Sequence, residues 1–467
     1  MYKLSNAIAC TIVLSSVLVS CTSAAPIDAN AKPNIVVIIS DDAGWSDFGF
    51  QGSPDVPTPN LDAFRASGIR FERGYVTASV CSPSRAGLLS GQYQQRFGHD
   101  TNMPVGSPHG MPGSVVTLAE RLHDVGYATA SVGKWHLGYE PDMRPLAQGF
   151  DMFRGQLAGS RKYKPYPKGK SHANYRQRID DTLIEDEAAQ FEWVTAYFGD
   201  TAANLVKSMT GDTPYFLYVA FTAPHTPMQA STADLDAVGG EPSKRKTYRA
   251  MQRALDSAVG DILQAIEASG EANNTIVWFV NDNGGATTNA SDNGVLRGMK
   301  GSAFEGGIRV PMLMRWPGVT SAGASFNHPV STLDIAASVV PAAGGGVEGL
   351  DGVDLRPFLT GVSKTAPHKH LFWKRGPIVA MIEGDQWKLI GVGDDQLLLF
   401  DLQADPSEQT DVGDANPTVR LHMAKKLAAW AEAMPTPSWF PSEKMRENQL
   451  KKHQPNVDTR AKERSLP

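Results

Sequence analysis

The chain has 467 residues, with 44 Lys and Arg against 49 Asp and Glu, a formal net charge of -5, and 41% hydrophobic residues. Its length predicts one large domain with a smaller partner. Its charge balance excludes an overall attraction to nucleic acid, so any basic function must be local.

In chain order the first feature is an apolar run from about Ile8 to Val19, behind Met1-Tyr2-Lys3. It is too short to span a bilayer and has the form of a secretory h-region. The run ends in Leu18-Val19-Ser20-Cys21, similar to a bacterial lipoprotein signal, so residues 1–21 are expected to be a leader with its lipobox. Cleavage before Cys21 would leave that residue carrying the lipid; ordinary cleavage near Ala24-Ala25 is the alternative. The protein is expected to be exported, either periplasmic or anchored at the outer membrane, with no other tie to a membrane. Of the three cysteines, Cys10 falls in the leader and Cys21 at the junction, leaving Cys81 alone in the folded body with no possible internal disulfide.

Four short apolar, β-branched runs read as buried strands: Asn34–Ser40, Tyr127–Val132, Tyr215–Phe221 and Thr275–Val280. Amphipathic stretches such as Val116–Asp124 and Tyr248–Ala268 lie between them. The alternation predicts an α/β three-layer sandwich around a large, mostly parallel sheet. Beyond Gly361 the pattern becomes two-periodic over Ile378–Glu383, Trp387–Val392 and Leu397–Leu402, with turns at Gly384-Asp385 and Gly393-Asp394. A small antiparallel sheet is predicted there, followed by a helix over Pro417–Ala433 and a poorly ordered basic tail from Pro435. The expected division is a catalytic domain over 22–360 and a smaller α+β unit over 361–467.

Each of the four strands is followed by polar residues: Asp41-Asp42, then Lys134 and His136, then His225, then Asp282-Asn283. Loops at the carboxyl ends of parallel strands converge, so four elements point at one site, although each group taken singly could cap a helix or make a turn. Asp41, Asp42 and Asp282 with the amide oxygen of Asn283 form an all-oxygen set that needs a cation in a buried cleft. Such hard ligands select calcium or magnesium, and a crowded, irregular site favours calcium. Cys81 heads Cys81-Ser82-Pro83-Ser84-Arg85, where Ser82 is expected to cap a helix and Pro83 to begin it. That helix end would attract an anion, and Arg85 adds a positive charge one turn on.

Cys81-Ser82-Pro83-Ser84-Arg85 resembles the C-x-P-S-R maturation signature of the type I sulfatases of the alkaline phosphatase superfamily. The family's other blocks are matched in order by Ser40-Asp41-Asp42, Gly133-Lys134-Trp135-His136-Leu137-Gly138, Thr222-Ala223-Pro224-His225 and Asn281-Asp282-Asn283-Gly284. Lys300-Gly301 and Glu305-Gly306-Gly307-Ile308-Arg309-Val310-Pro311 complete the set. The similarity spans roughly Lys32 to Gly361. It implies that a maturation enzyme oxidises Cys81 to formylglycine (3-oxoalanine), and that Asp41, Asp42, Cys81, Asp282 and Asn283 surround calcium. It further implies that a hydroxyl of the hydrated aldehyde attacks sulfur with help from Asp282, and that His136 acts as base in the collapse to aldehyde and sulfate. Lys134 and Lys300 would hold sulfate oxygens, His225 would serve the leaving alkoxide, and Arg85 would hold the formylglycine.

Two rival readings stay open at this point. One is a phosphate or phosphonate ester hydrolase of the same superfamily, whose metal sites usually carry a His where this chain has Asn283. The other is a non-catalytic lipoprotein that binds sulfated glycans. Between Arg161 and Arg178 lie seven basic residues, three tyrosines and no acid. Arg161, Lys164, Lys168 and Lys170 are expected to contact further sulfates of a polysaccharide or its oligosaccharides, unless the segment is a solvated loop.

Overall fold

The computed structural model describes residues 31–169 and 171–454; the leader, Cys21, Lys170 and the end of the tail lie outside the described residues. The large sheet takes strands β1 (Asn34–Ser40), β2 (Ile69–Phe71), β4 (Ala128–Lys134), β5 (Met152–Gln156), β6 (Arg178–Ile179), β7 (Thr182–Leu183), β8 (Tyr215–Ala220), β9 (Thr275–Asn281), β10 (Met312–Arg315) and β11 (Ala324–Phe326). Their order is β11-β2-β10-β9-β1-β8-β4-β5-β6-β7. A separate pair joins β3 (Gly74–Tyr75) to β12 (Val330–Ser331), and β13 (His370–Arg375), β14 (Ile378–Glu383), β15 (Trp387–Val392) and β16 (Gln396–Asp401) form an antiparallel sheet.

The pairings of β1 with β8 and β9, and of β4 with β8 and β5, are parallel, while β10 enters antiparallel. Alternate residues of β1 show why three layers form. Ile35, Val37 and Ile39 pack with Leu88, Leu122 and Ile335 on one face; Val36 and Ile38 pack with Phe198, Leu255 and Ile262 on the other. A strand apolar on both faces can only be buried between two helical layers. The antiparallel sheet repeats this logic on a smaller scale. Ala380, Ile382 and Ile390 join the main core, while Met381, Leu389 and Leu399 are covered by Met423 and Leu427 of the helix Pro417–Glu432.

Local departures from expectation have identifiable causes. β4 runs on to Lys134, so the lysine ends the strand rather than following it. The helix expected from Tyr248 starts at Lys244, where Ser243 accepts from the Lys246 N–H. Thr117 and Glu120 form a reciprocal capping box that opens Leu118–His123. Part of the tail expected to be poorly ordered is the helix Glu443–Lys452, capped by Ser442. Its Gln449 and the following His453 are buried, so polar packing holds a segment that carries almost no apolar signal.

Candidate active site

Strands β9, β1, β8 and β4 are consecutive neighbours, so their carboxyl ends deliver Asp282, Asp41, His225 and Lys134 to one place. The backbone bends sharply there. Asp42 and His136 hold φ of 64° and 60°, a left-handed conformation unusual for non-glycine residues and concentrated at functional sites. Each turn lifts its side chain off the strand line.

Cys81 is the first residue of the helix Cys81–Ser90, with Val80 in the capping position. Ser82 therefore does not cap the helix as expected. Its hydroxyl donates to the His136 carbonyl at 2.7 Å and lies 2.6 Å from Nε2 of His99, so it fixes the His136 loop against the helix. Asn102 accepts from the Ser82 N–H at 3.0 Å. Neither His99 nor Asn102 stood out in sequence, because nothing in the local pattern says which side chains face the helix end.

Three cations interleave with three carboxylates around the thiol. Lys134 Nζ donates to Asp41 at 2.7 Å, and Lys300 Nζ donates to Asp42 at 2.6 Å while lying 3.0 Å from Cys81 Sγ. Arg85 donates from Nε and Nη2 to Asp282 Oδ2 at 2.9 and 2.8 Å, and from Nη1 to the Lys134 carbonyl. Burial alone would raise Asp41, but Lys134, with His225, Arg85 and Lys300, holds it well below the usual carboxylate range. Asp282 goes the other way, raised by burial and by Asp41. Burial pushes the Cys81 thiol up to about 12, so an unmodified Cys81 is uncharged at neutral pH and a poor nucleophile. Burial and then Lys134 hold His136 well below the ordinary imidazole range, so it is neutral.

Asp41, Asp42, Cys81 and His225 each bring a ligand atom within 4.8 Å of the others. Asn283 donates its amide N–H to Asp42 Oδ1 at 2.8 Å, while its buried Oδ1 has no partner. An orphaned amide oxygen beside two carboxylates fits a hard cation. Lys134, Lys300 and Arg85 already balance the three acids, so charge alone does not demand a metal, contrary to the sequence argument. The donor set, not the charge count, carries the fit.

His225 turns Nδ1 to the Thr226 carbonyl at 2.6 Å and sets Nε2 3.5 Å from Asp42. A carbonyl only accepts, so Nδ1 carries the proton and Nε2 faces the site. A cavity of about 790 Å³ opens above these groups, lined among others by Asp42, Asn102, His225 and Lys300. Arg161, expected to contact substrate, is instead buried in an ion pair with Glu187 at 2.8 Å. Lys164 is exposed with its ammonium 5.1 Å above the Trp193 ring, and Lys168 pairs loosely with Glu185 at 3.1 Å.

The family model described as Sulfatase matches residues 33–345, and one described as N-sulphoglucosamine sulphohydrolase, C-terminal, matches 299–433. Human N-acetylgalactosamine-6-sulfatase is 34% identical over 355 residues, covering 71% of this chain and 66% of that protein. Rat arylsulfatase G is 30% identical, covering 86% and 87% respectively. The solved structure of Ps i-CgsB in complex with k-i-k-neocarrahexaose is 33% identical with a TM-score of 0.83, covering 92% of this chain and 99% of that one. With the site geometry these matches place the chain in the type I sulfatase family.

Proposed function

We propose that this chain removes sulfate from a sulfated polysaccharide or its oligosaccharides, using a formylglycine made from Cys81 and a calcium ion. The observation that carries the reading is the placement of Cys81 at a helix start, between Lys300 at 3.0 Å and the Lys134–Asp41 pair. Two lysines flanking one nucleophile position suit a tetrahedral anion better than a carbonyl substrate. The carbohydrate class is supported by the structural relative that binds a neocarrahexaose.

Asp41, Asp42, Asp282 and Asn283 would hold the calcium, which supplies positive charge at a sulfate oxygen. Oxidation of Cys81 supplies a hydrated aldehyde, whose paired hydroxyls answer the poor nucleophilicity of the buried thiol. Lys134 and Lys300 bind sulfate oxygens as charge shifts onto them. Arg85, fixed by Asp282 and the Lys134 carbonyl, holds residue 81 in line. Neutral His136 can accept a proton, and Nε2 of His225 faces the leaving oxygen.

The leader reading extends the proposal to an exported protein, lipid-anchored through Cys21 and matured by a formylglycine-generating enzyme. No described helix is long and apolar enough to cross a membrane.

Sulfate release from a panel of defined sulfated oligosaccharides, beside phosphate monoesters at fixed calcium, tests the reading. Desulfation of at least one carbohydrate well above phosphate release is the expected result. Faster phosphate release would restore the phosphatase reading, and no turnover of either ester by calcium-loaded, oxidised enzyme would favour the binding lipoprotein.

A further inference from the structure

The wall of the cleft facing Lys300 comes from the end of the chain. Met445, Asn448, Lys451, Lys452 and Gln454 all line the same cavity as Asp42 and His225. The spacing of 445, 448 and 451 or 452 puts them along one face of the helix Glu443–Lys452.

This helix is fastened to the loop that carries the catalytic lysine. Lys452 Nζ donates to the Lys300 carbonyl at 3.0 Å, and Arg375 Nη1 from β13 donates to the Gly301 carbonyl at 3.1 Å. His453 Nε2 accepts from the Ala303 N–H at 2.8 Å, and its ring stacks on Phe304 with centroids 5.4 Å apart. His453 Nδ1 donates to the Gln449 carbonyl at 2.6 Å, which fixes the tautomer that makes Nε2 an acceptor. The helix that carries the cleft-facing side chains is therefore held against the Lys300 loop.

Asn448, Lys451 and Gln454 are exposed to the cavity, and Lys451 has no ion-pair partner among the described residues. Among the described residues the one carboxylate lining this cavity is Asp42, which Lys300 already engages. A wall with free cationic and amide donors beside a sulfate site matches a second anion on the same molecule.

We infer that Asn448, Lys451 and Gln454 form an anion subsite that binds a second negatively charged group, a sulfate ester or a uronate carboxylate, on a sugar beside the one being desulfated. The inference rests on the sulfated-carbohydrate reading and narrows its substrate class to saccharides with at least two charges.

The test compares full-length enzyme with its Lys451→Glu and Asn448→Ala variants. Four substrates are used: a disulfated disaccharide, a monosulfated disaccharide with a uronate, a monosulfated neutral disaccharide and nitrophenyl sulfate. Lys451→Glu should raise KM for a doubly charged substrate roughly threefold to thirtyfold at low salt, with kcat unchanged. KM for the neutral disaccharide and the aryl sulfate should not move. An effect confined to the disulfated or to the uronate substrate supports the subsite and identifies its anion. Equal losses on all four substrates, or none on either doubly charged one, overturn it. Calorimetric binding of the same disaccharides to Cys81→Ala protein, with and without Lys451→Glu, keeps the two readings separable. If no substrate is desulfated the proposed activity fails, yet an unchanged or weakened dissociation constant still decides the subsite.

Discussion

Gly159 shows how a residue without a side chain can set the position of one that the proposed mechanism uses. A Cβ built there would lie 2.2 Å from Cε1 and 2.3 Å from Nε2 of His136. The obstacle is the far end of a side chain, so Gly159→Ala should displace the imidazole and leave the fold intact. We expect kcat to fall about 10–100-fold, the cost of a small misplacement of a reacting group, with the melting temperature nearly unchanged. Retention of full kcat would remove His136 from the chemistry. At Cys81, the peptide that carries this residue in the active protein should be lighter than its encoded sequence by the difference between thiol and aldehyde, and Cys81→Ala should abolish turnover. Activity in a fully thiol-bearing protein would end that mechanism. The polar residues at strand ends were legible because strand periodicity fixes where a strand stops. Gly159 was not, since Ala158-Gly159-Ser160 carries no pattern and its role exists only across the fold.

Among the elements, the helix Cys81–Ser90 is tied to the end of β9 by Arg85 and Asp282, both buried. Asp282→Asn leaves a buried guanidinium short of its charge partner, so it should cost about 3–5 kcal/mol of stability as well as most of the activity. Denaturant midpoints and initial rates measured on the same preparation separate the two effects. A second buried junction joins β15 to the catalytic layer, where Lys388 lies 2.9 Å from Glu305 and 2.8 Å from Glu408. Arg309 also lies 3.5 Å from Glu305, so Glu305 has a second cation beside it. Burial, against the pull of Lys388 and with Glu305 adding to it, raises Glu408 from 4.5 to about 7. The folded chain thus keeps a proton that the unfolded carboxyl loses, and this contribution to stability declines as pH rises from about 4.5 to about 7. Glu408→Gln should flatten that decline, raising the melting temperature near pH 8 by about 3 °C relative to its effect near pH 4.5. Equal shifts at both pH values would mean that Glu408 holds no extra proton. The strands β14 and β15 were legible to the residue, because one face meets the main core and the other meets a helix. The edge strand β13 and the helix Glu443–Lys452 were not, since their residues are set by contacts with the catalytic loops and not by an apolar repeat.

For the molecule as a whole, a chain with net charge -5 places its basic groups unevenly, and the structure sorts those that sequence grouped together. Arg161 serves Glu187, while Arg176 and Arg178 donate to backbone carbonyls of Ile184 and Asp181, so they fold the segment and do not grip a ligand. Tyr163 anchors it beside the site, its hydroxyl 2.6 Å from the Thr222 carbonyl and 2.8 Å from that of His225. Composition could reveal the charge but not which guanidiniums were already satisfied. Lys164 and Lys168 remain exposed on this anchored loop, and Lys170 lies outside the described residues. We expect neutralising Lys164, Lys168 and Lys170 together to weaken turnover of a multiply sulfated oligosaccharide and to spare a small aryl sulfate. Each exposed contact is worth about 0.2–1 kcal/mol, so three change apparent affinity by roughly threefold to over a hundredfold, most at low ionic strength. The loss should fall on KM, because contacts remote from sulfur stabilise ground and transition states alike. Lys168 gives up its pairing with Glu185 to bind a sulfate, which places its share toward the lower end. Equal losses on both substrates would indicate a disturbed active site, and no loss on either at low salt would make this loop a solvated one.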